Sequence, residues 1–167
     1  MNNELTKIDI EKMRSELDER RLKLMPELIE EVKRTRAFGD LSENDEYKTA
    51  KQAQNRNKSR IRYLERMIAS AKVIEDRSAD DEVGLYDRVE LYMEDEDETE
   101  TIRVVTTVRT DPLHGLISKD SPLGRAVLGK HVGDRITVQV NDSYSYTAVV
   151  RALEKGSDDG SAGLLQY

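Results

Sequence analysis

Between Tyr47 and Ala71 the chain lays down a seam at alternating spacings of three and four: Tyr47, Ala50, Gln54, Asn57, Ile61, Leu64, Ile68 and Ala71. That is heptad spacing, and over this length it admits little besides a long helix that buries one face against a partner. The partner lies upstream. Residues 9 to 37 carry Met13, Leu17, Leu24, Leu28 and Val32 at mixed three, four and seven spacing among strong helix formers. Folding the chain back at Gly39 sets Val32 near Ala50, Leu28 near Gln54, Leu17 near Leu64 and Met13 near Ile68. The expected element is an antiparallel coiled-coil hairpin, ~45 Å long at ~1.5 Å per residue. Pro26 cannot donate a helical hydrogen bond, which predicts a bend or break near residues 22–26. Gln54 and Asn57 place polar groups in the middle of the seam, where such groups fix register at some cost in stability.

After Asp76 the pattern changes. Residues 77–84 are polar and charged and read as a linker. Beyond them the period falls to about two, with strands expected at Asp87–Met93, Glu100–Val108, Leu116–Ser118, Arg135–Val140 and Tyr144–Leu153. Ser121-Pro122 followed by Leu123–Leu128 and Gly129 predicts one short helix, with Ser121 capping it, Pro122 at its first position and Gly129 ending it. The fold class is therefore α+β: an N-terminal antiparallel coiled-coil hairpin over residues 1–76, then a small antiparallel sheet with one short helix over residues 85–155. Residues 156–167, rich in Gly, Ser and Asp, read as a flexible tail.

The net charge of −7 is unevenly spread. Residues 1–76 hold 17 Lys/Arg against 16 Asp/Glu, whereas the remainder holds 10 against 18. A globally acidic chain does not coat DNA indiscriminately. Residues 47–72, however, carry eight basic side chains and one acid, Glu65, so a local stripe can still touch one phosphate chain. With no cysteines, disulfides and thiolate zinc sites are excluded, and a reducing cytoplasm is the expected location. No apolar stretch approaches membrane-spanning length, so no membrane association is expected, and the chain reads as a monomer.

The candidate chemistry sits at the hairpin's turn. Asp40, Glu43, Asp45 and Glu46 put four carboxylates within seven residues. Mg²⁺ prefers oxygen ligands and is commonly held by one or two carboxylates plus oxygens from a substrate or partner. Asp40 and Glu43, three apart at the entry to a helix, can converge on one ion but are too few to hold it alone. The competing reading is local: Asp40-Leu41-Ser42-Glu43 has the spacing of a capping box, and acids in a first helical turn complement the helix dipole. The basic stripe of Lys48, Lys51, Arg56, Lys58, Arg60, Arg62 and Arg66 also has two readings. One is a solvated flank paired to Glu16, Glu19, Glu27, Glu30 and Glu31 of the other helix. The other is an RNA phosphate contact, with Lys51 the leading candidate beside Arg56 and Lys58. His114 and His131 stand alone as loop residues, and nothing supports nucleophilic catalysis by the chain itself.

Gly39-Asp40-Leu41-Ser42-Glu43-Asn44-Asp45-Glu46-Tyr47 resembles the tip pattern G-D-L-x-E-N-x-E-Y of the bacterial Gre family of transcript cleavage factors. Ser121-Pro122-Leu123-Gly124-Arg125-Ala126-Val127-Leu128-Gly129-Lys130, about 80 residues further on, resembles that family's second motif. The resemblance spans roughly residues 8–153. It implies that residues 85–155 adopt an FKBP-like fold and dock on bacterial RNA polymerase, with Ser121, Pro122, Leu123, Gly124 and Arg125 as docking candidates. It also implies that the coiled coil passes down the polymerase's secondary channel to the nascent RNA 3′ end. There Asp40 and Glu43 would share a Mg²⁺ with the polymerase and stimulate its cleavage of backtracked RNA. Cofactor-free on its own, the chain would not be an autonomous enzyme. Asp45 adds an acid to the tip, which keeps a second function open: a channel-binding regulator that does not promote cleavage. A prolyl isomerase is disfavoured, because the chain has no Trp and its one Phe, Phe38, lies outside the FKBP-like segment.

Overall fold

The computed structural model describes residues 3–39 and 44–166. It divides into two compact units, Ile10–Lys72 and a second formed by Met1–Asp9 with Val73–Tyr167.

The first unit is the helical hairpin. Helix α1 (Lys7–Glu19) runs into a π-helical turn at Arg20–Leu24, α2 follows at Met25–Arg36, and α3 (Asp45–Ser70) returns antiparallel. The irregular turn falls where Pro26 predicts it. Proline has no N–H to complete the preceding turn, and the chain widens just before it, so the Met25 N–H reaches back to the Arg20 carbonyl. That same carbonyl accepts from Asn57 Nδ2 at 3.2 Å, while Asn57 Oδ1 accepts from Arg20 Nη1 at 2.9 Å. The polar seam residue thus locks onto the irregular turn, and a slip of either helix would break both bonds. At 26 residues α3 is ~39 Å long.

The buried face of α3 is Ala50, Gln54, Asn57, Arg60, Leu64 and Met67. The seam expected from spacing had Ile61 and Ile68 in place of Arg60 and Met67. Arg60 displaces Ile61 because Glu16 meets its guanidinium from α1, with Nε to Oε2 at 2.7 Å and Nη2 to Oε1 at 3.2 Å. A buried arginine is tolerated when a carboxylate neutralises it in bidentate fashion.

The second unit is a five-stranded sheet. Two-residue strands β1 (Glu4–Leu5) and β2 (Lys72–Val73) form a separate pair. Strands β3 (Arg88–Met93), β4 (Glu98–Val105), β5 (Leu116–Ser118), β6 (Arg135–Gln139) and β7 (Ser145–Glu154) order themselves β5-β4-β3-β7-β6. Three pairings are antiparallel as expected, whereas β5 joins β4 in parallel, pairing Arg103 with Leu116 and Val105 with Ser118. Alternation along β3 turns Val89, Leu91 and Met93 inward, onto Ile102, Val104, Val127, Ile136, Val138, Ala148 and Val150.

Three boundaries differ from the sequence reading. Residues 1–9 belong to the sheet unit rather than to the hairpin. The expected linker is anchored, since Val83 lies in the core and exchanges backbone bonds with Gly129 and Lys130. The expected flexible tail is docked, because buried Asp87 and Arg109 draw it in. Each difference comes from a partner distant in sequence.

The short helix α4 (Pro122–Val127) forms as predicted. Ser121 Oγ accepts from the Gly124 N–H at 3.0 Å and donates to the Ser118 carbonyl at 2.6 Å. Gly124 is required by space, because a Cβ there would stand 2.0 Å from the Ser118 carbonyl oxygen. Gly124→Ala is expected to cost the sheet unit about 3 kcal/mol, as α4 is levered off β5. Thermal denaturation checks this, and an unchanged midpoint would show that the helix shifts freely.

Candidate functional site

The hairpin's turn is built from both helices. Helix α2 ends at Arg36, and Gly39 takes φ +103°, a left-handed conformation that favours glycine. Asn44 then starts α3. Its Oδ1 accepts from the Tyr47 N–H at 3.0 Å, and its Nδ2 donates to the Thr35 carbonyl at 2.6 Å. One side chain therefore caps α3 and ties it to the last turn of α2. Asp40 and Glu43, the candidate metal-facing acids, lie outside the described residues. Because α3 begins at Asp45 with Asn44 as its cap, the capping role considered for Asp40 falls to Asn44. Asp45 and Glu46 occupy the exposed first turn, where their charge complements the helix dipole.

Two arginines missed from sequence line the approach to the turn. Arg36 Nη2 donates to the Tyr47 hydroxyl at 3.3 Å, and its guanidinium stands 5.6 Å from the centre of that ring. The bond holds the Tyr47 phenol below its usual pKa. Arg34 pairs with Glu31 at 2.6 Å, reaches within 3.9 Å of Glu46 and stands 5.3 Å from the Phe38 ring centre. Cations in the last turn of α2 offset the dipole there and counter the acids beyond. Asn44→Ala is expected to remove about 1–2 kcal/mol of local stability and to speed exchange of the Tyr47 amide about tenfold. An unaltered amide would mean that the clamp is dispensable.

The basic stripe divides by role. Arg60 is spent in the seam, Arg62 donates to Ser59, and Lys51 is half-buried with Nζ donating to Gln54 Oε1 at 3.2 Å. Arg56 and Lys58, the other candidate RNA contacts, are exposed. The docking candidates divide as well. Ser121, Pro122 and Gly124 build α4, Leu123 packs on the core, and Arg125 alone of the five has an exposed side chain.

Sequence reasoning also missed a polar centre in the sheet unit. Arg109 is fully buried, as is Asp9. The Arg109 guanidinium donates to Asp9 Oδ1 at 3.1 Å, to both Asp158 oxygens at 2.7 and 2.9 Å, and through Nε to the Ala162 carbonyl at 2.9 Å. Asp9 Oδ2 accepts from the Thr106 hydroxyl at 2.8 Å and from the Thr6 N–H at 2.9 Å, and the Asp9 N–H returns a bond to Thr6 Oγ1. Thr6-Lys7-Ile8-Asp9 is thus a reciprocal capping box opening α1, a pattern legible in the sequence. Its second use, neutralising an arginine 100 residues away, is not. His131, expected to stand alone, lies with exposed Asp81 and half-buried Glu82 so that one ligand atom from each falls within 4.8 Å of the others. Among the described residues no helix is long and apolar enough to cross a membrane.

The comparisons with known proteins agree along nearly the whole chain. A family model described as "Transcription elongation factor, N-terminal" matches residues 3–73, and one described as "Transcription elongation factor, GreA/GreB, C-term" matches residues 78–155. The chain is 42% identical to transcription elongation factor GreA of Thermotoga neapolitana over 90% of its own length and 97% of the relative's. It is 42% identical to the GreA of Geobacillus kaustophilus, over 81% and 86% of the two chains. The crystal structure of GreA factor homolog 1 of Thermus thermophilus is 26% identical, with 91% of this chain and 98% of that one covered at a TM-score of 0.41.

Proposed function

The chain belongs to the GreA/GreB family of transcription elongation factors, and on that premise we propose that it acts on RNA polymerase rather than as an enzyme by itself. The hairpin enters the polymerase's secondary channel and presents its turn to the nascent RNA 3′ end of a backtracked complex. Asp40 and Glu43 lend carboxylate oxygens to the polymerase's active site, where Asp40 is the main metal-facing group and Glu43 supports the ion or orients water. A Mg²⁺ held there supplies Lewis-acid polarisation and lowers the pKa of bound water. Two acids suit an ion whose remaining ligands come from polymerase, RNA and water, because Mg²⁺ is seldom caged by one protein alone. Exposed Arg56 and Lys58, with half-buried Lys51 nearer the turn, serve the RNA phosphates, and Arg125 is the docking side chain of α4.

The observation that carries this reading is the closure of the hairpin by Asn44. It takes over capping, so the family-matching acids between Gly39 and Asn44 are not needed to start α3. The exposed extra acid Asp45 supports a second reading, in which the protein binds the same channel without promoting cleavage. One assay separates them. Backtracked complexes with 3′-labelled RNA are incubated with and without the protein. Released short 3′ fragments support cleavage, whereas altered elongation rates without fragments support the second reading.

A further inference from the structure

Residues 156–166 lie beyond the matched family regions, yet they are docked. Asp87 holds the entry to this segment. Its Oδ1 accepts from the Gly156 N–H at 2.8 Å, and its Oδ2 accepts from Lys155 Nζ at 2.6 Å. Space fixes the same point, since a Cβ on Gly156 would stand 2.6 Å from the Tyr86 carbonyl oxygen. Asp158 then meets Arg109 with both oxygens, Ala162 offers its carbonyl to Arg109 Nε, and the Leu165 N–H donates to the Val108 carbonyl at 2.7 Å. Burial alone would raise the Asp158 carboxyl, but the Arg109 bonds and the Gly160 N–H outweigh it and hold that group below its usual pKa.

Leu164 and Leu165 are half-buried beside these polar anchors. An open cavity of about 710 Å³ runs between the segment and the sheet unit, lined by Tyr86, Arg103, Leu113 and His114 on one side and by Ala162 and Leu165 on the other. Leu113 is 94% exposed. Three glycines, Gly156, Gly160 and Gly163, raise the entropy gained when the segment lets go. A glycine-rich segment bordering an open cavity opens at lower cost than the sheet.

The receiving side is prearranged by the body of the unit. Asp9, itself held by the Thr106 hydroxyl, orients Arg109 from behind, and Tyr86 stands beside it with its ring centre 5.5 Å from the guanidinium. Tyr86 holds φ +67°, a costly conformation for a residue with a Cβ. Its hydroxyl is buried on the side of Asp158, and the tyrosine lines the cavity.

We propose that Arg109, Tyr86 and the Val108 carbonyl form a recognition site for a short acidic segment that bends around the guanidinium, and that residues 156–166 are its ligand in cis, acting as a releasable latch. The fork of Arg109 reads a carboxylate in bidentate fashion, and the Val108 carbonyl reads a backbone N–H seven residues further along. While the latch is closed the site is filled, and another acidic segment enters only when it opens.

The test uses the full chain. Asp158→Lys sets like charges together and is expected to expel the segment, whereas Asp158→Glu retains it. The readout is exchange of the Leu165 amide, remote from the substitution, which should accelerate at least tenfold in the Lys variant. Amides of β3 and β7 report whether the sheet is intact. Should they lose protection, the neutral Asp158→Asn carries the same test. A synthetic peptide of residues 156–167 should then bind the opened protein but not the wild type, and the peptide bearing Lys at 158 should bind neither. Unchanged Leu165 exchange, failure of the peptide to bind the opened protein, or equal binding to wild type would each overturn the proposal.

Discussion

Asp40→Asn is expected to lower cleavage of backtracked RNA by about 100-fold or more while leaving the hairpin folded. The substitution keeps the size of the side chain and removes its negative charge. An amide oxygen is a much poorer ligand for Mg²⁺ than a carboxylate, and the charge lost is one that would face the ion as the phosphodiester is attacked. A loss of ~3 kcal/mol of transition-state stabilisation corresponds to about two orders of magnitude in rate. Folding should be indifferent, because Asn44 rather than Asp40 caps α3 and the seam is held by Asn57, Arg60 and their partners. The measurement is single-turnover cleavage at saturating protein, with helicity recorded on the same samples. Wild-type cleavage with Asn at 40 would remove this residue from the mechanism. An inactive wild type would instead favour the non-cleaving reading.

Arg109→Leu is expected to destabilise the sheet unit by about 3–5 kcal/mol, because it leaves the buried Asp9 without its cation. Asp158 loses its partner too, but it sits in a segment that can swing out to water, so most of the penalty falls on Asp9. Asp9 keeps its bonds from Thr106 and Thr6, which soften the loss without neutralising the charge. Against typical domain stabilities of ~5–15 kcal/mol this is a large fraction. Exchange of the β3 and β7 amides under native conditions measures the opening energy of this unit alone. A change below about 1 kcal/mol would show that the arginine is not essential to the unit. Adding Asp9→Asn to the variant should recover part of the loss.

What could be read from sequence follows from how locally each feature is encoded. The hairpin, the irregular turn near Pro26 and the capped helix at Pro122 each depend on residues within one or two helical turns of one another. Strand alternation is similarly local, and it placed β3, β5, β6 and β7 to within a residue or so. The acids at the hairpin's turn were legible as a motif, and their proposed role came from family resemblance rather than from spacing.

Other features needed the folded chain. Heptad spacing favoured Ile61 at a position where Arg60 is buried, because spacing does not register a glutamate on the opposing helix. The tail read as flexible from its Gly, Ser and Asp content, yet Asp87 and Arg109 anchor it. Residues 1–9 read as part of the hairpin, although Asp9 is tied to Arg109 and Thr106. By itself the sequence determined the helices of the hairpin, the short helix α4 and most of the five-stranded sheet, though not β1, β2 or the end of β4 at Val105, because backbone hydrogen bonding and alternating burial repeat over a few residues. Only the tertiary structure decided which charges could leave water. Burying an ion demands an opposite charge at bonding distance, and for Arg109 those partners come from both ends of the chain.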